Sequence, residues 1–369
     1  MSRTQEQGDL ADAVRSLLAK RSDTAQVRAA GESARGFDEE LWSRLCGDIG
    51  AAGLAIPAEF GGAGAGLSEL AVVFEELGRA LTPSPLFGSV LASLAVRESG
   101  DARACGRILP AAAQGQIAAL AWSPREGGWN PRQPACHARD SVLDGAAHYV
   151  LNGDSAEVLV VAANTPDGVR LFEVDPDAPG VSRVVEPTLD LTLRLAAIRF
   201  EGVRGRCLAG DGAAVLGRTR ALASAVLAAE QVGAAARSLE LTVEHTKQRH
   251  QFGRPLGSFQ ALKHRMAEVH VAVEAARSAA EHAVSAADHR ERGWERAAHV
   301  ARVWCAEALQ HATAEMIQLH GGIAITWEHD AHLYFKRAHS SAQLLGRPDE
   351  HVRLLAGGEP TRNPPIMPT

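Results

Sequence analysis

The feature that most constrains this chain is a single apolar stripe in its C-terminal half. Leu222, Val226, Ala229, Val232, Ala236, Leu239 and Val243 recur at intervals of four, three, three, four, three and four residues. Those intervals track the helical turn, so the spacing predicts one long helix with one buried face, suited to a bundle. Two further helices are predicted after it, over about 259–290 and 294–320.

The chain changes character near residue 119. Before it, Leu10, Val14, Leu17 and Leu18 recur at helical spacing, as do Leu70, Val73, Phe74 and Leu77. Between these lies the run IPAEFGGAG at 56–64, whose glycines predict a turn. After it come short β-like runs at 147–151, 158–163, 169–174 and 193–200, separated by Asn152-Gly153, Pro166-Asp167-Gly168 and Asp175-Pro176. The expected organisation is an N-terminal helical domain over 1–118, a middle β domain over 119–210 and a C-terminal helical bundle over 211–356. The tail over 357–369, with four prolines, is expected to drape over the surface or lack order. No internal repeat or low-complexity tract is visible.

Composition removes several function classes. The net charge is 38 − 44 = −6 and aromatics are 5%, so neither a basic field for nucleic acid or anionic membrane nor a base-stacking surface is expected. Five cysteines without a CxxC pair suit free thiols in a reducing cytoplasm. The polar N-terminus lacks an apolar signal core, and no apolar run is long enough to span a bilayer, so a soluble cytoplasmic protein is expected. Fifteen histidines carry no HExxH or other paired-ligand motif, so no metal site is expected. There is no GxSxG elbow, and IPAEFGGAG lacks the lysine of a phosphate loop.

Two motifs carry chemistry. The first, RHQFGRPLGSFQ over 249–260, sits between two predicted helices, where Gly253, Pro255 and Gly257 force a turn. There Arg249 can offer a planar donor fork to a diphosphate, Phe252 a flat apolar face, and Gln260 a group that both donates and accepts. The same residues would suit a capped helical corner with a solvated arginine, and Arg249 alone does not separate the two readings. The second motif is QLHGG over 318–322, followed by IAITWEHD. Its paired glycines allow left-handed backbone and close approach of a ligand, or form a plain helix cap.

Together, RHQFGRPLGSFQ, QLHGG and IPAEFGGAG resemble the acyl-CoA dehydrogenase family, and the layout of the whole chain is similar to that family's. The resemblance implies an α+β fold: N-terminal helical domain, middle β-barrel-like domain, C-terminal four-helix bundle. It implies FAD as cofactor and an acyl thioester as substrate, of CoA or of a carrier protein. In such enzymes a carboxylate removes the α-proton while the β-hydride passes to the flavin, the thioester carbonyl being polarised by hydrogen bonds. By the same resemblance, Arg249 and Phe252 match the family's diphosphate-side arginine and phenylalanine. Gln260 matches the motif glutamine, and Gln318, Gly321 and Gly322 match the adenine-side strip. In the family these groups reach the FAD of a neighbouring subunit, which implies an oligomer.

The family pattern fails elsewhere. The usual base, a glutamate followed by glycine, falls on Leu345, before Gly346; the alternative position on the long helix falls near Ala223. Glu230 lies on the same helix, about two turns or roughly 10 Å from Ala223. Asp349 and Glu350 are expected to reach the place of the base only if the terminal turn is remodelled. The flavin-bonding Thr-Glu-Pro-Gly stretch is matched by Trp122 to Gly128, and the Trp-Ile-Ser/Thr segment by Tyr149-Val150-Leu151. The resemblance is therefore to the second chain of those bacterial members, some acting on steroid side-chain CoA esters, that pair a catalytic chain with a degenerate one. The expectation is a subunit without a base that completes a partner's FAD site, in a heterotetramer with a second such chain. The rivals are a self-sufficient homo-oligomeric dehydrogenase with an unrecognised base, a repurposed flavin oxidase or monooxygenase, and a helical interaction module that has lost flavin.

Overall fold

The computed structural model describes residues 3–357, so the end of the expected tail, 358–369, lies outside the described residues. The N-terminal part is helical: α1 (Gln5–Arg21), α2 (Thr24–Glu32), α3 (Glu39–Gly47), α4 (Leu67–Ala80), α5 (Leu86–Glu98) and α6 (Ala102–Ala113). The strands follow: β1 (Ala118–Ala121), β2 (Cys136–Arg139), β3 (Val142–Leu151), β4 (Val158–Thr165), β5 (Gly168–Val174), β6 (Val181–Val185), β7 (Leu195–Arg204) and β8 (Arg206–Cys207). Then come α7 (Gly212–Gln248), a two-strand ribbon of β9 (His250–Gln251) and β10 (Arg254–Pro255), α8 (Gln260–Asp288), α9 (Trp294–His320), α10 (Ala331–Ser341) and α11 (Pro348–Leu355). The expected order of helical, β and helical parts is what the structure shows.

Two compact units emerge, and they cut across chain order. Among the described residues the first comprises 3–29, 67–82 and 224–357; the second comprises 30–66 and 83–223. In the second, one sheet has the order β6-β7-β3-β2-β4-β5-β8, with β1 pairing in parallel with β4. Leu143, Leu159, Val161, Phe172, Ile198 and Phe200 fill its core. The alternation of buried and exposed residues along β7 is the period-two pattern of a half-buried strand.

In the first unit α4 crosses α7 at backbone distance. A Cβ built on Gly78 would meet the Glu230 carbonyl oxygen at 2.0 Å, and one on Gly233 would meet the Glu75 oxygen at 1.9 Å. Each helix thus lends a glycine to the other's carbonyl. On α4, Leu70, Val73, Phe74 and Leu77 are buried as expected. On α7, Leu222, Val226, Ala229, Val232 and Ala236 are buried while Leu239 and Val243 are half-buried. The single buried face expected there is in fact a helix buried on all sides from Thr219 to Ala236, because neighbours pack around it. No helix among the described residues is long and apolar enough to cross a membrane.

Because the obstacle at Gly233 is backbone, a side chain there forces the helices apart. Gly233→Ala is expected to destabilise the protein by about 1–3 kcal/mol or more, read as a lowered urea midpoint at unchanged m-value.

Candidate functional site

The first motif forms a corner after α7. The Arg249 N–H donates to the His245 carbonyl at 2.9 Å, extending the helix by one bond. β9 and β10 then form a hairpin whose tip is Phe252-Gly253, with φ of 54° and 76°. Two successive left-handed residues define the type I′ turn that matches strand twist. Glycine enters that region freely, whereas a bulky side chain pays about 1–2 kcal/mol. Phe252 is nevertheless 90% exposed, touching Phe259 edge-on at 6.2 Å between ring centres. Apart from that one edge contact the ring is presented to solvent, little to set against a left-handed backbone. Arg249 is also exposed, and its guanidinium makes no hydrogen bond or ion pair among the described residues. Gln260 opens α8, exposed, its amide nitrogen 3.2 Å from His264 Nε2.

The second motif ends α9. Gln318 is exposed in its last turn, and Gly321 caps it at φ 65°, ψ −144°, a conformation suited to glycine. Space around both Gly321 and Gly322 is open. Beneath this corner three imidazoles meet: His320 stacks on His245 at 4.2 Å and packs against His329 at 4.5 Å. His320 Nδ1–H donates to the Met316 carbonyl at 2.7 Å, which leaves Nε2 as a buried lone pair without a partner. His329 Nδ1 accepts from the Ala331 N–H, so its proton sits on Nε2. Burial lowers all three: His320 to about 4, helped by His245 and His329; His245 further by His329 and Arg249; His329 further by Arg28. Nothing in the sequence reading grouped these histidines. The usable signal was that His245 stands one turn before Arg249 and His320 within QLHGG.

The two positions where the resemblance places a base hold Leu345 and Ala223, both fully buried. Leu345 keeps a left-handed backbone at φ 58°, followed by Gly346 at φ 105°. The turn is held by side chains. Arg302 donates to the Ser341 and Leu344 carbonyls at 2.7 and 3.0 Å, and His351 Nε2–H donates to the Leu345 carbonyl at 3.1 Å. Glu230 forms a buried ion pair with Arg337. Asp349 is exposed and paired with Arg347 and Arg353. Glu350 is buried, and its Oε2 lies 3.2 Å from where a Cβ on Gly346 would sit.

In the sheet-bearing unit the loop matched to the flavin-bonding stretch is closed by its own side chains. Trp122 and Trp129 are buried and meet edge-to-face at 5.5 Å. Trp122 Nε1 donates to the Asn130 carbonyl, Ser123 Oγ to that of Gly128, Tyr149 Oη to that of Arg125 and Arg220 to that of Trp129. Leu151 is 5% exposed and has no polar side-chain atom. The donor set of the first unit fits a dinucleotide's diphosphate: a free guanidinium, an exposed ring and open glycine backbone. The Trp122–Leu151 region is a poor fit to a flavin ring, since the Trp122, Ser123 and Tyr149 side-chain donors are bonded within the loop and Leu151 offers none. Among the described residues no group of three or more His, Cys, Asp or Glu could hold a metal ion.

Comparison with known proteins agrees with this layout. The model of the acyl-CoA dehydrogenase N-terminal domain matches residues 4–116, and that of the C-terminal domain matches 210–356. Acyl-CoA dehydrogenase IpdE2 of Mycobacterium tuberculosis is 45% identical over 362 residues, covering 96% of this chain and 98% of the relative. A chain of the solved Tcur3481-Tcur3483 steroid ACAD is 33% identical, with TM-score 0.88, over 96% of this chain and 97% of that one. A chain of the ChsE4-ChsE5 complex from Mycobacterium tuberculosis is 27% identical, with TM-score 0.87, over 96% and 97%.

The imidazole column gives a pH dependence of stability. Folded His320 resists protonation until about pH 4, whereas an unfolded histidine takes a proton near 6.5. The unfolded state therefore gains protons first, and the column's contribution is whole above about pH 6.5 and lost as pH falls towards 4. The melting temperature is expected to decline over that window, and less steeply in His320→Phe.

Proposed function

Because the chain belongs to the acyl-CoA dehydrogenase family, we propose that it completes the FAD site of a second, catalytic acyl-CoA dehydrogenase-like chain and supplies no base itself. The family's oxidoreductases act on CH–CH groups and use FAD. The observation that carries the proposal is the corner where exposed, left-handed Phe252 stands beside the partnerless guanidinium of Arg249. A fold does not keep such a pair for stability, and the same chain's flavin-ring side is closed by its own indoles.

The residues assigned to the cofactor are Arg249, Phe252, Gln260, Gln318, Gly321 and Gly322. Arg249 would give charge-assisted hydrogen bonds to the diphosphate. Phe252 would cover an apolar edge and exclude water, and the glycines would let backbone approach. Bound FAD supplies the hydride acceptor for α,β-dehydrogenation of an acyl thioester. The exposed faces of α8 and α9 support a partner chain that covers these residues. Gln260, His264, Ala267, Val271 and Ala275 share one exposed stripe at helical spacing, as do Trp304, Glu307, His311, Ala314 and Gln318. Val271 and Trp304 are 68% and 51% exposed, so each stripe carries apolar surface towards a motif glutamine. The two components named for the ChsE4-ChsE5 and Tcur3481-Tcur3483 relatives support a second chain, for which a heterotetramer is the proposed assembly, and the steroid ACAD of the latter supports a steroid-derived acyl-CoA.

A second reading, a self-sufficient enzyme, is favoured by one observation: the buried carboxylate of Glu350 beside Gly346. Single-turnover flavin bleaching by acyl-CoA separates the two. On the proposed reading Glu350→Gln and Asp349→Asn change that rate only modestly. Loss of a true base would cost about 10²–10⁴, and such a collapse with flavin content intact would put the second reading first.

The isolated chain is expected to purify without stoichiometric flavin. In the complex, Arg249→Ala should weaken FAD by roughly ten- to more than a hundredfold, the value of about 1.5–3 kcal/mol. Unchanged flavin content in that variant would end the assignment.

A further inference from the structure

The two motifs lie at the ends of different helices, and a single ligand must meet both. What fixes their spacing is a physical question the motifs do not answer. Arg249 hangs on the last turn of α7 through its bond to the His245 carbonyl, and Gly321 follows His320 directly. The two side chains that meet between them are those of His245 and His320, stacked at 4.2 Å and only 27° from parallel. His329, from the segment entering α10, packs against His320 at 4.5 Å. The path from the arginine to the glycine pair therefore runs through two stacked rings, braced by a third.

The position is poorly chosen for stability alone. His320 is more than nine-tenths buried, and its Nε2 has no partner. A stranded acceptor costs free energy that an apolar ring of the same shape would not. The charged and titratable groups facing the column are Arg249 just after α7, Arg28 from α2, and Asp330 and His332 at the start of α10. Arg28 and Asp330 neutralise each other at 2.9 Å. The column is thus a neutral, flat-faced spacer between a cation and an open backbone.

We infer that His320 is a positioning residue, whose ring sets the distance between Arg249 and the Gly321–Gly322 backbone so that both engage one FAD. The inference rests on the reading above that these groups serve the cofactor. It assigns the flat ring of His320, not its titration, as the working part.

The test uses the complex that co-purifies with the tagged chain, and FAD as the probe. Dissociation constants would be measured by flavin fluorescence, and melting temperatures alongside, for His320→Ala, His320→Phe, Arg249→Ala and the double variant His320→Ala with Arg249→Ala. His320→Ala should weaken FAD about tenfold and His320→Phe should restore it, since the ring is kept. In the double variant the loss should not exceed that of Arg249→Ala, because a residue acting through another has no separate effect once that one is gone. Multiplied effects, an unaffected His320→Ala, or failure of phenylalanine to restore affinity would each overturn the inference. An unaffected Arg249→Ala would instead overturn the cofactor reading beneath it. If His320→Ala proves too unstable to purify, the His320→Phe comparison still decides, as affinity at wild-type level supports the ring and a tenfold loss refutes it.

Discussion

The crossing of α4 and α7 at backbone distance is the contact on which the bundle unit depends. With Gly78 and Gly233 facing carbonyls, the helices approach too closely for any side chain between them. Every residue of α7 from Thr219 to Ala236 is buried, so the sides turned away from α4 are closed as well. Turned away from that crossing stand Gln231 and, beside it, Glu230, both buried, which must find partners because water cannot reach them. Glu230 pairs with Arg337 of α10, and Gln231 donates to Ser341 Oγ while accepting from Arg302 of α9. Buried polar residues thereby tie α7, α9 and α10 together. The same helix, carried rigidly onward, delivers His245 and Arg249 to the far end.

Arg302 shows what the buried network is for. Burial alone pulls its guanidinium down to about 10, which still leaves it charged at neutral pH. A buried charge of this kind is expensive unless it is well coordinated. Here it is coordinated by carbonyls at the end of α10, the turn that leads to Leu345. That turn holds a leucine in left-handed backbone, which an unconstrained chain would avoid. The scaffold that would aim a residue at position 345 is thus intact, while the residue itself cannot take a proton. Likeness of fold therefore does not by itself say whether a base is present.

The long elements were legible because their signal is local and periodic. The stripe from Leu222 to Val243 and the segment 294–320 needed nothing beyond the helical turn. β2 and β6 were not foreseen, for physical reasons. β6 lies at the sheet's edge with no buried residue, so it carries no apolar alternation, and Cys136–Arg139 lacks branched or aromatic side chains. The site divides the same way. Linear motifs named Arg249, Phe252 and the glycine pair, but the histidine column draws its members from α7, α9 and the approach to α10. Only folding brings them together. The strain at Phe252 was likewise invisible, since it arises from the hairpin closing over two residues.

The two halves of the site differ in how they treat their polar groups, and that difference is a stronger guide than any single substitution. Around Trp122 and Tyr149, the indole, the Ser123 hydroxyl and the Tyr149 hydroxyl all donate to carbonyls of the 125–130 loop, and indole rings fill the interior. A ligand entering there would have to break those bonds and match them, with no net gain. At the Arg249 corner the reverse holds: an aromatic face, open backbone and a guanidinium with no protein partner among the described residues are presented to solvent. Any ligand that pairs with them gains without first displacing protein. If one chain's FAD needed both halves, this chain would be contradictory. If the exposed half serves a cofactor seated in another chain, both features follow from one assignment. The apolar stripes of α8 and α9 then have a reason too, since a chain that brings its cofactor to Arg249 must cover the helices that lead there.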